Sequence, residues 1–446
     1  MLAATSDLAW LRRLLDFEGA LARVESRLGL IPTEAGEKIS ARCHVRFFEV
    51  EKLGKEASAD GNPVIPLVRA LTAEVKGDSA GYVHWGATSQ DALDTAMMLV
   101  ARDGLDLLLK DLERVEAACA TLADKHRATV MAARTLLQQA LPTTFGLKAA
   151  GWLHAAMEAD ARVRDVRVNR LAVQLGGAAG TLAAFAGKGV KVTEALAGEL
   201  HLVQPDLPWH TDRLRVLDLG HVLARLAGVM SKIALDVALL SQTEVAEVVE
   251  PAPGGSSALP HKRNPVGSAL ARACARGVWA QAQLLTVATE QEQERAAGAW
   301  QSEWPALSEA FRCASGAVAT MATVLEGIDV DEARMRSNLE AAGGVLMSES
   351  VMMALAAKTS RPEARNLVEK AARATTAGKS FKEALVDAGA GDHLDQAELD
   401  AALDPSGYLG AAADLVDWTL QKYRAERSAH ERHWEALIQR GHESPA

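Results

Sequence analysis

The sequence predicts an all-α protein of three helical regions with a long central helical bundle. Apolar residues recur at helical spacing, strand-like alternation is hard to find, and long segments rich in Ala, Leu, Glu, Arg and Gln fill the middle of the chain. With 446 residues the chain can bury a large core without small-protein staples. Hydrophobic residues at 49% and charged residues at 24% are ordinary globular usage, which excludes a disordered class.

The first helix is read from Trp10, Leu14, Phe17, Leu21, Val24 and Leu28, which step by four and three along one face. Further helical segments are expected over 105–125, 147–174, 214–250 and 266–294. In the third of these, Val222, Leu226, Val229 and Ile233 form one stripe, and Leu223, Ala227, Met230, Ala234 and Val237 an adjacent one. Such a helix needs partners on two sides, and a helix of that length would reach roughly 55 Å, longer than one compact core. A homo-oligomer built on a bundle is therefore expected. Breaks at Gly81 to Thr88, Gly176 to Gly180 and Pro251 to Pro265 place irregular backbone at bundle ends, and Ala341 to Gly344 precedes a smaller helical part. The expected regions are 1–104, 105–344 and 345–446.

A formal charge of −10 argues against a nucleic-acid surface. Cys43, Cys119, Cys274 and Cys313 lie far apart without CxxC spacing and are expected as buried thiols. The apolar stretch from Val222 to Leu240 carries Arg225, Lys232 and Asp236, which speaks against a membrane span. No basic stretch precedes an apolar one at the N-terminus, so a cytoplasmic location is expected.

The chemistry-bearing segment is Gly254-Gly255-Ser256-Ser257-Ala258-Leu259-Pro260-His261-Lys262-Arg263-Asn264-Pro265. Glycines free the backbone, and two hydroxyls, a cation and an amide follow, a set suited to a developing oxyanion. Pro265 stands near a helix start, whose N–H groups favour a carboxylate. A Gly-Ser linker is the ordinary alternative, but this combination is unusually constrained.

At these residues the chain resembles the Gly-Ser-Ser-x-x-Pro-x-Lys-x-Asn-Pro signature of the fumarase/aspartase superfamily. The resemblance implies a three-domain helical subunit, a homotetramer around a central bundle, and active sites shared between subunits. It also implies proton transfer at carbon by a loop serine, with no metal and no cofactor. Motif position favours Ser256 as catalytic, with Ser257 the competing hydroxyl, and Lys262 stabilises the alkoxide that a serine base requires.

Two further patches support it. Tyr82 to Asp91 resembles the superfamily's Thr-Ser-x-Asp region, assigning Thr88 and Ser89 to carboxylate contacts and His84 to binding or proton transfer; read alone, it is a helix cap and a structural histidine. Arg134 to Gly146 resembles the Arg-Thr-His-x-Gln region. Arg134, Thr135 and Gln138 suit carboxylate binding there, as Asn264 does in the loop, but Leu136 and Gln139 occupy the positions where relatives carry histidine. Across most of the chain the resemblance is to the 3-carboxy-cis,cis-muconate cycloisomerase subfamily, through His84 to Asp91, Gln174 to Thr181 and Trp300 to Leu307. This implies a small tricarboxylate substrate. An adenylosuccinate lyase-like β-elimination enzyme and a catalytically silent helical scaffold are the alternatives.

Overall fold

The computed structural model describes residues 1–255, 258–375 and 379–442, with side chains through residue 429. The chain begins with α1 (Asp7–Arg27), α2 (Thr33–Arg42), α3 (Val50–Asp60) and α4 (Val64–Val75). The long α5 (Ser89–Lys125) leads to a hairpin of β1 (Val130–Thr135) and β2 (Gln138–Thr144), then to α6 (Phe145–Asn169), α7 (Gly189–Leu200) and α8 (Leu214–Leu240). After β3 (Val248–Val249) come α9 (Val266–Val287), α10 (Ala299–Gly327), β4 (Asp329–Val330) and α11 (Glu332–Glu340). The chain closes with α12 (Ser348–Ala356), α13 (Arg361–Thr375), α14 (Phe381–Ala388), α15 (Gln396–Leu403) and α16 (Ala412–His442). The all-α class is observed, and no single helix among the described residues is long and apolar enough to cross a membrane.

Residues group into two compact units, one of 1–113, 158–232 and 270–320, the other of 114–157, 233–269 and 321–446. In the first, Ser6 caps α1 by accepting from the Ala9 amide at 3.2 Å, and the predicted stripe of Leu14, Phe17, Leu21 and Val24 is buried against Leu67, Leu93, Ala96 and Phe185. A polar knot lies inside this unit. Arg213, 1% exposed at its side chain, meets Asp94 at 2.7 Å and Glu303 at 2.6 Å, and Trp300 donates to Asp94 at 2.9 Å. A buried guanidinium must be paired and have its N–H donors satisfied, which Asp94 and Glu303 together provide. In the second unit, Val351, Leu355, Val368, Phe381 and Leu385 form the core of the C-terminal helices.

Helix lengths depart from the sequence expectation. α8 stops at Leu240 instead of running to Glu250, because Ala246 takes a left-handed φ of 52° and Val248–Val249 pair antiparallel with Asp329–Val330. The 37-residue helix is α5, which starts at Ser89 well before Leu105. The β1–β2 hairpin was not anticipated. Its two-residue turn, Leu136-Leu137, has φ of 50° and 65°, a geometry that Asn-Gly ordinarily supplies.

Candidate active site

The chain enters α5 through a turn pinned by one carboxylate. Asp91, fully buried, accepts from the amides of Thr88, Gly176 and Gly177, each at 2.9 Å, and from His210 Nε2 at 2.7 Å. The Thr88 bond is the reciprocal half of a capping box. Gly176 must be glycine, since a Cβ there would lie 2.6 Å from His210 Cε1. Thus the predicted break at Gly176 to Gly180 docks on the predicted patch at Thr88. Arg295 joins them, donating to Gln90 Oε1 at 3.0 Å and to the Ala178 carbonyl at 2.8 Å. Thr88 and Ser89 are half-buried beside this junction.

His84 precedes the cap in a left-handed conformation, φ 57°, and its Nδ1 lies 2.7 Å from Glu18 Oε1 on α1. Burial by itself would depress the imidazole, but attraction and hydrogen bonding from Glu18, aided by the charge of Asp91, outweigh it and raise the His84 pKa above the ordinary histidine value. The imidazolium is thereby favoured.

In the second unit the hairpin carries Arg134, Thr135 and Gln138. Arg134 makes a fork to Glu247, at 2.9 and 2.6 Å, and Asn338 donates to the same carboxylate at 2.9 Å. Thr135 and Gln138 are register partners flanking the turn, both exposed. Gln139, exposed as well, donates to the Asn338 carbonyl at 3.1 Å.

Three residues past Glu247, Glu250 accepts from the Gly267 and Ser268 amides at 2.8 Å each and from the Ser268 hydroxyl at 2.6 Å. The N-terminus of α9, which the sequence offered to a substrate carboxylate, is therefore filled by the protein's own Glu250. The reason is electrostatic: the carboxylate of the residue that follows β3 already satisfies the Gly267 and Ser268 N–H groups. The signature loop rises from this clamp. Gly254 and Asn264 exchange two backbone hydrogen bonds at 2.9 Å, and Asn264 Nδ2 donates to the Gly255 carbonyl at 3.2 Å. A Cβ on Gly254 would sit 2.1 Å from Val266 Cγ2, so the loop base closes only on glycine. Lys262 stands exposed on the loop, and Ser256 and Ser257 lie outside the described residues.

The structure thus brings His84, Thr88 and Ser89 together in one unit. It places Arg134, Thr135, Gln138, Lys262 and Asn264 in the other, where the segment Glu247 to Glu250 braces both hairpin and loop. Sequence reasoning missed Glu18, Glu247, Glu250, His210 and Arg295. A signal existed for Glu18: Leu14, Glu18, Leu21 and Glu25 follow helical spacing, so charge lies on an apolar face.

Comparison with known proteins follows the same lines. Residues 12–280 match the lyase family, and residues 344–418 match the adenylosuccinate lyase C-terminus. The chain is 46% identical to 3-carboxy-cis,cis-muconate cycloisomerase of Bradyrhizobium diazoefficiens over 94% of each chain. It is 45% identical to nitrosuccinate lyase of Streptomyces davaonensis, over 93% of this chain and 91% of that one. The crystal structure of 3-carboxy-cis,cis-muconate lactonizing enzyme from Pseudomonas putida matches with a TM-score of 0.89 at 39% identity, covering 94% of this chain and 96% of that one. A capped Thr-Ser-x-Asp turn, a signature loop closed at its base and likeness along nearly the whole length have one common explanation: the chain belongs to the fumarase/aspartase superfamily of lyases.

Proposed function

We propose that the chain is a cycloisomerase that converts 3-carboxy-cis,cis-muconate to 4-carboxymuconolactone in protocatechuate breakdown. The likeness of 46% over 94% of both chains carries this reading, and the hairpin fits its chemistry. A substrate carboxylate oxygen adds to a carbon–carbon double bond, the neighbouring carbon becomes carbanionic next to a second carboxylate, and a proton is delivered to it. Three carboxylates become two and an ester, so one proton is taken up per turnover.

The attacking oxygen is already ionised and needs no base. Read backwards, it departs as a carboxylate, a weak base with a pKa near ~4, and needs no acid. Among the exposed tip residues Thr135, Leu136, Leu137 and Gln138, none titrates, and Gln139 is a neutral amide held by Asn338. Related cycloisomerases and some lyases carry histidine at the Gln139 position; because a carboxylate leaves without an acid, lactonisation can proceed without it more readily than expulsion of an amine.

In this reading Ser256 transfers the proton at carbon and Lys262 stabilises its alkoxide. Asn264, Thr88, Ser89, Arg134, Thr135, Gln138 and His84 bind the carboxylates, and no metal or organic cofactor takes part. The enzyme works as a cytoplasmic homotetramer of three-region subunits, 1–104, 105–344 and 345–446, with active sites shared between subunits and neither nucleic acid nor membrane as partner. Several helices leave large apolar side chains exposed, including Leu270 at 55% and Val287 at 64% on α9, which favours such an assembly.

The 45% identity to nitrosuccinate lyase supports a second reading, β-elimination of a dicarboxylate whose leaving group departs as nitrite. Purified protein given 3-carboxymuconate and, separately, nitrosuccinate decides between them. Lactone formation, followed by loss of diene absorbance, supports the first; fumarate and nitrite without lactone assign the second; silence on both leaves an adenylosuccinate lyase-like elimination and the silent scaffold as the alternatives. Ser256→Ala should abolish turnover while Ser257→Ala retains it, and the reverse pattern moves the role to Ser257.

A further inference from the structure

The carboxyls of Glu18 and Glu25 lie two turns apart on α1, each residue 1% exposed. Only Glu18 Oε1 has a partner, His84 Nδ1 at 2.7 Å; among the described residues Glu18 Oε2 and both oxygens of Glu25 meet no hydrogen-bond donor. An unpartnered buried carboxyl costs stability and is a recurrent mark of function. We propose that Glu18 is a positioning residue that orients His84 toward the substrate and serves as its counter-ion, with Glu25 as the second member of a buried carboxyl pair behind it. The proposal rests on the reading that this patch binds a polycarboxylate.

The surroundings leave this role to Glu18. Asp91, the other acid that faces His84, is already engaged by three amides and His210. Cys43 lies near Glu18, but burial and the charge of Glu18 both keep its thiol protonated. Arg23 is turned away to Glu199 at 2.7 Å and Ser40 at 3.1 Å, and Asp16 is taken by Arg13 at 2.7 Å. A carboxyl buried without donors disfavours its ionised form, and a second carboxylate on the same helix face adds to that. Glu18 is the carboxyl that meets the imidazole, and Glu25 stays neutral, its pKa raised to about 9 by burial and then by Glu18. The Glu18 bond fixes the Nδ1 proton, so the proton exchanged with a ligand sits on Nε2. His84 is held in the left-handed region, φ 57°, a conformation that is costly for a non-glycine residue.

Nitrogen-15 NMR of the imidazoles in the full-length protein tests the pair without substrate, with His84→Asn identifying the signal. In the wild type His84 should titrate above the ordinary histidine range. In Glu18→Gln its midpoint should fall by at least about one pH unit, with Glu18→Asp intermediate. With 3-carboxymuconate at pH 7.5, Glu18→Gln should raise KM about tenfold with a smaller change in kcat. The pH above which kcat/KM declines should move down in parallel. A wild-type midpoint at or below the ordinary value overturns the proposal even if no variant folds, as does an unshifted midpoint in folded Glu18→Gln. Normal titration behaviour with no turnover of 3-carboxymuconate instead counts against the substrate assignment alone.

Discussion

Arg134 and Glu247 form a two-point ion pair in which the carboxylate is fully buried and the guanidinium 21% exposed. The pair ties β1 of the hairpin to the residue that precedes β3, and Asn338 of α11 adds a third donor at 2.9 Å. Removing one partner leaves an uncompensated charge, which costs about 3–5 kcal/mol for a buried pair. Glu247→Ala should therefore lower the denaturation midpoint strongly. Arg134→Met with Glu247→Leu should recover most of that stability while leaving turnover lost. Equal instability of the single and double variants would show that the pair does not act as a unit.

The hairpin turn offers a gain instead of a loss. Leu136 and Leu137 are 97% and 75% exposed, and both hold left-handed backbone angles. Each such residue stores on the order of 1 kcal/mol of strain. Replacing the pair by Asn-Gly should stabilise the protein by about 1–2 kcal/mol, read as a higher denaturant midpoint with unchanged slope. No gain would mean that contacts of the leucines offset the strain.

That turn also shows where the sequence stops being readable. Helical periodicity is local, so Leu14, Phe17, Leu21 and Val24 announced α1 and its buried face, and the all-α class followed. Leu-Leu carries none of the turn chemistry by which a hairpin is recognised, so β1 and β2 passed unseen. The loop from Gly254 to Pro265 was legible because its residue types are fixed by local chemistry. Its braces were not: Glu250 and Ser268 are 18 residues apart, and Arg134 and Glu247 are 113 apart. Long-range ion pairs leave no periodic trace, and the helix start offered to a substrate turned out to be filled from within.

Glu25 should make stability depend on pH. Its carboxyl is raised from 4.5 to about 9 by burial and by Glu18. The folded state therefore holds a proton that the unfolded state has released between these values. Stability contributed by this group is complete below about 4.5 and declines as pH rises toward about 9, by at most ~1.4 kcal/mol per unit. Glu25→Gln removes the titration, so its melting temperature should fall less than that of the wild type between pH 6 and 9. Parallel curves for the two proteins would refute the assignment of a neutral Glu25.

The hairpin tip carries no titrating group, so a leaving group seated against it receives no proton from the hairpin. Expelling an amine anion without a proton donor is prohibitively uphill, whereas a carboxylate or nitrite leaves unaided, and a positioned acid contributes typically ~10²–10⁴-fold. Turnover should therefore sort by leaving-group basicity. The lactone read backwards and nitrosuccinate should react far faster than N-substituted aspartates of similar size, by at least about 10²-fold in kcat/KM. Gln139→His, which places an imidazole on β2 where Asn338 now holds the amide, should narrow that ratio at a pH where the imidazole is protonated. The measurement is kcat/KM for each compound across pH with both proteins. Wild-type cleavage of an N-substituted aspartate at a rate comparable to the lactone reaction would place an acid elsewhere in the site, with His84 the first residue to replace.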